Sequence, residues 1–597
     1  MIGKKQIAEP LDGLSQYVRR VVLAELPAWQ LLVLAAATGF IWAASIFDWN
    51  FIIGRSAFWQ FPKGTISGSE YDMAQVLVGY LYYVQSSWHL PLFNVSQLGT
   101  PTGTNVIFMD VVPVVALLGK LIHSITARAI NIYGAYLFLC FSLPGVMMML
   151  VLIAARVRYA LAAVIAAIFS NSMPALLWQW GHIALMAQFI VIGALALYLF
   201  SLNNQAWHRV LIIWITYLII AYFTNAYLFV MVGVVWLCTI LQRRLNGYAT
   251  TREVLGIGAL TVALVMTSII LGGLFGGGTA PPFGRGYGVY SMNLLSPFVP
   301  QESGIFSRTG GIIDATGGQY EGFNYLGIGL LIASLFVLPK EVSWLGQNVR
   351  RHISLLIAFV GLTAFAISNH VFAGHFLLLD LPIPPYVYWT LGIFRSGGRF
   401  FWLIGYAQIA VALVLGFRRA QPVVVLCLMV AAILQLFDIQ PLREQIIASI
   451  AAGPETYELK RDELEGMLVR ARHVEVVPSF NCAEDIKDEL LKEKIRRANM
   501  ELMLTAARMN VPTNTVFTGR QSFITLKDVL PAPSQAPEIL KSRRTVYCRQ
   551  EMSRARSGAR SGELLVLLSG WPRQVDVAAG VTCSPLAWAR YCERLNK

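Results

Sequence analysis

The sequence predicts an all-α polytopic membrane domain followed by a small C-terminal α/β domain. Hydrophobic residues make up 56% of the 597 and charged ones only 13%, with a mean hydropathy of +0.58. This apolar share exceeds that of soluble globular chains. Uncharged apolar runs recur at about 17 to 25 residues, the length that crosses a bilayer core as a helix with every backbone polar group paired internally. Near Asp438 the composition changes sharply, and charged, helix-like and strand-like stretches replace the apolar runs.

Residues 1–30 read as a polar cytoplasmic segment carrying Lys4, Lys5, Arg19 and Arg20. No small-residue cleavage site follows the apolar run Leu31 to Phe47, so this run reads as a retained first span. Within 31–437, further spans are expected near Ile130 to Ala154, Tyr159 to Trp178, Ala184 to Leu202, Val210 to Phe223, Tyr227 to Leu241, Leu255 to Leu274, Leu326 to Leu338, Ile353 to Ile367, Phe401 to Phe417 and Val423 to Phe437. This makes about eleven crossings. Val210 to Leu241 reads either as a helical hairpin or as one broken crossing. Val111 to Ile125 is short and contains Pro113, Lys120 and His123. It reads as a helix lying in the interface, the alternative being a true span that would invert the sidedness downstream.

The net charge of +14 does not form a nucleic-acid-binding stripe, because basic residues occur as pairs between apolar runs. With the N-terminus inside, Arg156 with Arg158, Arg209, Arg243 with Arg244 and Arg252, Lys340 with Arg350 and Arg351, and Arg418 with Arg419 mark the cytoplasmic face. Loops 48–128, 275–325 and 369–399 and the tail 438–597 then lie outside. In the tail, His473 to Pro478, Thr513 to Phe517 and Leu564 to Leu568 read as strands and Glu484 to Met509 as a helix. Cys482, Cys548, Cys583 and Cys592 would form two disulfides in an oxidising compartment, with three connectivities open.

Carboxylates are scarce outside the spans. Glu70 and Asp72 precede an apolar, aromatic run, Met73 to Gln85, that reads as a helix. Asp72 in its first turn would be held ionised by free amides and the helix dipole, as a general base requires; Ser69 and Asp72 also fit a capping box. Asp110 is the rival base, and apolar Met109 and Val111 suggest burial and a raised pKa. Arg395 and Arg399 flank two glycines at the mouth of a span, which suits bidentate phosphate binding as well as snorkelling toward headgroups. Arg285, Tyr320, Glu321 and Asn324 lie in a Gly- and aromatic-rich loop suited to gripping a sugar, or to an interfacial aromatic belt. His182, in Trp178-Gln179-Trp180-Gly181-His182, is a candidate ligand to phosphate or metal.

This pattern resembles the GT-C superfamily of polytopic glycosyltransferases: a first span, a large first outer loop with the acidic pair Glu70-Tyr71-Asp72, interfacial helices, further spans and an extracytoplasmic C-terminal domain. More narrowly, Gly79-Tyr80-Leu81-Tyr82-Tyr83, Trp88-His89-Leu90-Pro91-Leu92-Phe93, Asp110-Val111-Val112-Pro113, Tyr290-Ser291-Met292-Asn293-Leu294 and the run Gly318 to Gly327 resemble an uncharacterised group of bacterial multispan proteins placed beside those transferases. The resemblance implies sugar transfer from a polyprenyl-phosphate-linked donor to a glycan, lipid or protein hydroxyl at the periplasmic face of the inner membrane. Asp72 would be the base, with Arg395 and Arg399 on the phosphate. It implies membrane lipids, the lipid-linked donor and a glycan or lipid acceptor as partners, and no nucleic acid. It fixes no cofactor: superfamily members divide on divalent metal use, and Glu70, Asp72 and His182 would hold one only if the fold gathers them. The rival readings are a transporter or flippase of a lipid-linked sugar, against which the near absence of acids in the spans speaks, and a non-catalytic membrane scaffold.

Overall fold

The computed structural model describes residues 24–597 except 65, 67–70, 204–206, 274–285, 307–312, 419–420, 455–457, 520–523, 525–527, 529–534, 557–561, 569–580 and 595–597. The apolar helices pack together in a bundle around one large core. Polar caps fix several of their starts: Asn225 accepts from the Tyr227 amide at 2.8 Å to open Ala226–Leu245, and Thr250 with Glu253 forms a capping box before Thr251–Gly272. Trp207–Tyr222 and Ala226–Leu245 are separate helices, so this stretch is a hairpin. Among the described residues seven helices are long and apolar enough to cross a membrane, or up to nine if two bent pairs each count as one span. The expectation of about eleven also counted Arg209–Tyr222 and Ile328–Val337, two shorter apolar helices.

Basic residues gather at one end of the bundle. There the Arg158 carbonyl accepts from the Leu26 amide at 3.0 Å, Arg243 donates to the Ser201 carbonyl, Gln242 donates to the Arg350 carbonyl at 3.2 Å, and Arg418 pairs with Glu341 at 2.6 Å. The long loops meet at the other end. Pro113–Thr126 is an amphipathic helix with Leu118, Leu121 and Ile125 exposed. Gly119 allows its close approach to Asp72–Gln85, since a Cβ there would lie 2.2 Å from the Tyr80 hydroxyl. Lys120 is buried in this contact and donates to Ser86 Oγ at 2.9 Å and the Ser87 carbonyl at 3.0 Å.

The tail builds a four-stranded sheet in the order His473–Val477, Glu563–Leu567, Ala589–Arg594, Val581–Leu586, with the first pair parallel and the others antiparallel. Helices Glu489–Met509 and Ala536–Arg556 accompany it. The long helix begins after Asp488, whose carboxylate accepts from the Leu490 and Leu491 amides, and not at Glu484, which lies in a 3-10 turn. Thr513 to Phe517 is not a strand. The Asn514 side chain takes the place of a neighbouring strand, accepting from the Val476 amide at 2.8 Å and donating to its carbonyl at 3.0 Å. Cys482 is bonded to Cys548 and Cys583 to Cys592, which selects one of the three connectivities. The tail's own apolar core begins at Leu459 and not at 438, because Ile446 and Ile450 pack in the core of the bundle.

The tail rests on the first long loop. Tyr82 donates to the Val511 carbonyl at 2.6 Å, Gln75 to the Phe517 carbonyl at 3.0 Å and Gln85 to the Ala507 carbonyl at 2.8 Å, while the Thr513 carbonyl accepts from the Gly99 amide and the Thr513 amide donates to the Gln97 carbonyl, both at 2.9 Å. Within the tail, Glu551 is buried and accepts from the Ser479 amide at 2.7 Å. Burial pushes its carboxyl up to about 7. A raised acid contributes stability fully below its unfolded value of about 4.3 and loses it as pH rises through the folded value. The thermal midpoint of the full chain is therefore expected to fall between pH 5 and pH 8, and Glu551→Gln should flatten that dependence.

Candidate functional site

Asp72 opens the helix Asp72–Gln85, behind Tyr71, which makes no side-chain cap. Asp72 therefore sits in a first turn whose amides have no intrahelical partner. Tyr71 is buried, donates to Glu493 of the tail helix and lies 6.0 Å under the Arg496 guanidinium. The tail thus fixes the start of the helix that carries Asp72.

His182 comes from a turn far along the chain. That turn meets the first loop through two glycines: a Cβ on Gly64 would lie 2.3 Å from Gly181 Cα. The approach sets His182 Nδ1 3.4 Å from Asp72 Oδ2 and His182 Nε2 3.6 Å from Glu321 Oε1. Glu321, in the 3-10 turn Gln319–Gly322, gives its other oxygen to Arg399. Arg399 is buried, stacks 5.0 Å from the Tyr227 ring and feels the charge of Asp110. A chain of contacts, from Asp72 through His182 and Glu321 to Arg399, therefore joins four segments of the chain. Burial alone would raise the Glu321 carboxyl, but Arg399, His182 and Arg395 together hold it well below the usual carboxylate range.

A second glycine contact makes this possible. Gly322 and Gly398 lie so close that a Cβ on Gly398 would be 2.5 Å from Gly322 Cα. Asn324, expected to touch substrate, instead staples this junction, donating to the Gly322 and Gly398 carbonyls at 2.9 Å each. Arg395, one turn earlier, is exposed and stacks 5.4 Å from the Tyr290 ring, which meets Tyr320 edge-on at 6.2 Å. Trp178 holds the Tyr320 carbonyl at 2.7 Å.

The fold brings Asp72, His182, Glu321 and Arg399 together, with Arg395, Tyr320 and Asp110 around them. Glu70 and Arg285 lie outside the described residues. Asp110 does not have the expected buried environment: its left-handed backbone, φ 53°, turns Met109 and Val111 inward and leaves the carboxylate exposed. His182 stands between two carboxylates, surroundings that repel a phosphate. Its two nitrogens face different carboxylates, and among the described residues no group of three His, Cys, Asp or Glu side chains converges as a metal site. Of the two arginines, Arg399 is committed to Glu321, which leaves Arg395 as the exposed guanidinium. Tyr227 and Tyr290, the aromatic partners of the arginines, stand in the sequence reading only within a span and a family-like run and not as site residues. The Asn225 cap that places Tyr227 at a helix start was the available signal.

A family model described as a domain of unknown function (DUF6311) matches residues 36–440. No curated protein matches the chain. Among solved structures, the apo oligosaccharyltransferase of Archaeoglobus fulgidus is 14% identical with a TM-score of 0.39, over 82% of this chain and 64% of that one. The archaeal oligosaccharyltransferase AglB from the same organism, in complex with an inhibitory peptide and a dolichol-phosphate, is 13% identical with a TM-score of 0.41, over 90% and 69%. The complex of the Archaeoglobus fulgidus oligosaccharyltransferase with zinc and sulfate is 14% identical with a TM-score of 0.38, over 90% and 67%. The chain thus spans about two thirds of the length of these structures.

Removing one member of the buried Glu321 and Arg399 pair strands the other's charge, at a cost of about 3–5 kcal/mol. Glu321→Leu is expected to lower the thermal midpoint sharply, and adding Arg399→Met should recover part of the loss. Since pairing holds Glu321 low, its contribution is complete above about pH 4.3 and lost as pH falls through the depressed value. Wild type should therefore lose stability on that acid limb more steeply than the double variant.

Proposed function

The chain belongs to the DUF6311 family, a membership that names no activity, and from the site geometry we propose that it is a membrane glycosyltransferase of the GT-C kind. The donor is a polyprenyl-phosphate-linked sugar and the acceptor a hydroxyl of a glycan, lipid or protein. The protein sits in the bacterial inner membrane with the tail domain in the periplasm. The observation that carries the reading is the linked set Asp72, His182, Glu321 and Arg399 with the exposed Arg395 beside it, at the end of the bundle opposite the basic residues. It supplies an ionised carboxylate for a proton and a guanidinium for a phosphate in one place.

The step is a single inverting displacement. Asp72 takes the proton from the acceptor hydroxyl as that oxygen bonds to the anomeric carbon; the bond from this carbon to the phosphate oxygen breaks, and its electron pair leaves with the polyprenyl phosphate. Arg395 neutralises the leaving phosphate, and Asp110 and Glu321 keep Arg399 from competing for it. His182, 3.4 Å from Asp72 Oδ2, holds that carboxylate in place. Alignment and charge stabilisation supply most of the rate in such a displacement. The aromatic faces of Tyr290 and Tyr320 offer a surface for the sugar.

The test uses the full chain in lipid nanodiscs with radiolabelled undecaprenyl-phosphate glucose, mannose and N-acetylglucosamine, and membranes lacking the protein as acceptor. Loss of a general base costs about 10²- to 10⁴-fold, so Asp72→Asn should lose transfer by that factor at an unchanged thermal midpoint. Wild-type activity in Asp72→Asn would remove Asp72 from the mechanism, and absence of both transfer and binding with every lipid-linked sugar would overturn the transferase reading.

A further inference from the structure

The segment after the helix ending at Ile367 forms an antiparallel ribbon, His370–Ala373 paired with Phe376–Asp380. Its two strands differ. The inner strand is fixed to the site loop: the Phe372 carbonyl accepts from the Leu294 amide at 2.9 Å, and Asn293 bonds both backbone groups of Gly374. The outer strand is exposed on both faces, and Phe376, Leu377, Leu378, Leu379 and the following Leu381 are 47% to 77% exposed. Such a strand normally hides at least one face, and a bare apolar edge strand is a liability unless something covers it. Polar groups bound the apolar stretch, exposed His375 at the tip and Asp380 paired with His370 at 2.8 Å at the base.

The ribbon adjoins the exposed arginine. Segment 286–290 touches both: a Cβ on Gly286 would lie 2.3 Å from Arg395 Cβ, a Cβ on Gly288 would lie 2.9 Å from His370 Cδ2, and Tyr290 stacks on Arg395. On its other side the ribbon continues from Val342–Ile367, an apolar helix long enough to cross a membrane and mostly unburied. An isoprenoid chain leaving a phosphate at Arg395 for the bilayer thus has the ribbon beside it, with the apolar outer strand exposed.

We propose that the outer strand, Phe376 to Leu381, seats the isoprenoid chain of the lipid-linked donor whose phosphate Arg395 binds. This rests on the transferase reading. Removing two leucine side chains that are buried against one ligand should weaken its binding by at least about tenfold.

The full chain in nanodiscs is irradiated with a polyprenyl phosphate carrying a benzophenone on its isoprenoid chain, and the labelled peptides are mapped by mass spectrometry. Label is expected within 376–381, displaced by unlabelled undecaprenyl phosphate but not by phosphatidylglycerol. The Leu377→Ser/Leu379→Ser variant should bind undecaprenyl phosphate at least about tenfold more weakly at an unchanged thermal midpoint. Equal displacement by phosphatidylglycerol would show a strand that merely meets bulk lipid and would overturn the proposal. Label elsewhere, with undecaprenyl phosphate still bound, would overturn it and leave the transferase reading standing. No binding of undecaprenyl phosphate at all would remove both.

Discussion

The buried pair of Glu321 and Arg399 is the constraint on which the site depends. A carboxylate and a guanidinium away from water are tolerable only in contact, since either alone carries a large desolvation cost. Their contact therefore dictates where two loops must meet, and that meeting requires Gly322 against Gly398 and the Asn324 staple across both. With Glu321 fixed, its second oxygen defines the position of His182, and His182 in turn faces the first turn of Asp72–Gln85. One ion pair thus sets the register of segments that the sequence scatters over more than three hundred residues.

The same pair separates the roles of two arginines that look alike in sequence. Arg399 is neutralised from one side by Glu321 and shaded by Tyr227, so it serves the architecture. Arg395 faces out over Tyr290 and keeps its charge for something that arrives. Aromatic stacking suits both, because a planar guanidinium on a ring face keeps its charge in a place where water is displaced.

Much of the architecture was legible because apolar run length and charge spacing are properties of single segments. The helical runs, the collection of Arg158, Arg243, Arg350 and Arg418 at one end, the amphipathic helix Pro113–Thr126 and the helical start at Asp72 all follow from local composition. The site itself was legible only as a set of residue types. Which arginine is spent, and whether Asp110 is buried, are decided by contacts between distant segments, and no local pattern encodes them. The strand expected at Thr513 to Phe517 failed for a related reason: an asparagine side chain can imitate a backbone partner, and propensity does not see that substitution.

The junction between the tail and the first loop sets an order of events in biosynthesis. Thr518 leaves the ribosome 410 residues after Phe108, whose carbonyl accepts from its hydroxyl. The first loop is made early and waits, with Tyr71, Gln75 and Tyr82 lacking their tail partners, until the tail has been made. A partly made chain therefore carries Asp72 on a helix whose start is not yet held. That start is held only once the tail closes onto the loop that was made before it.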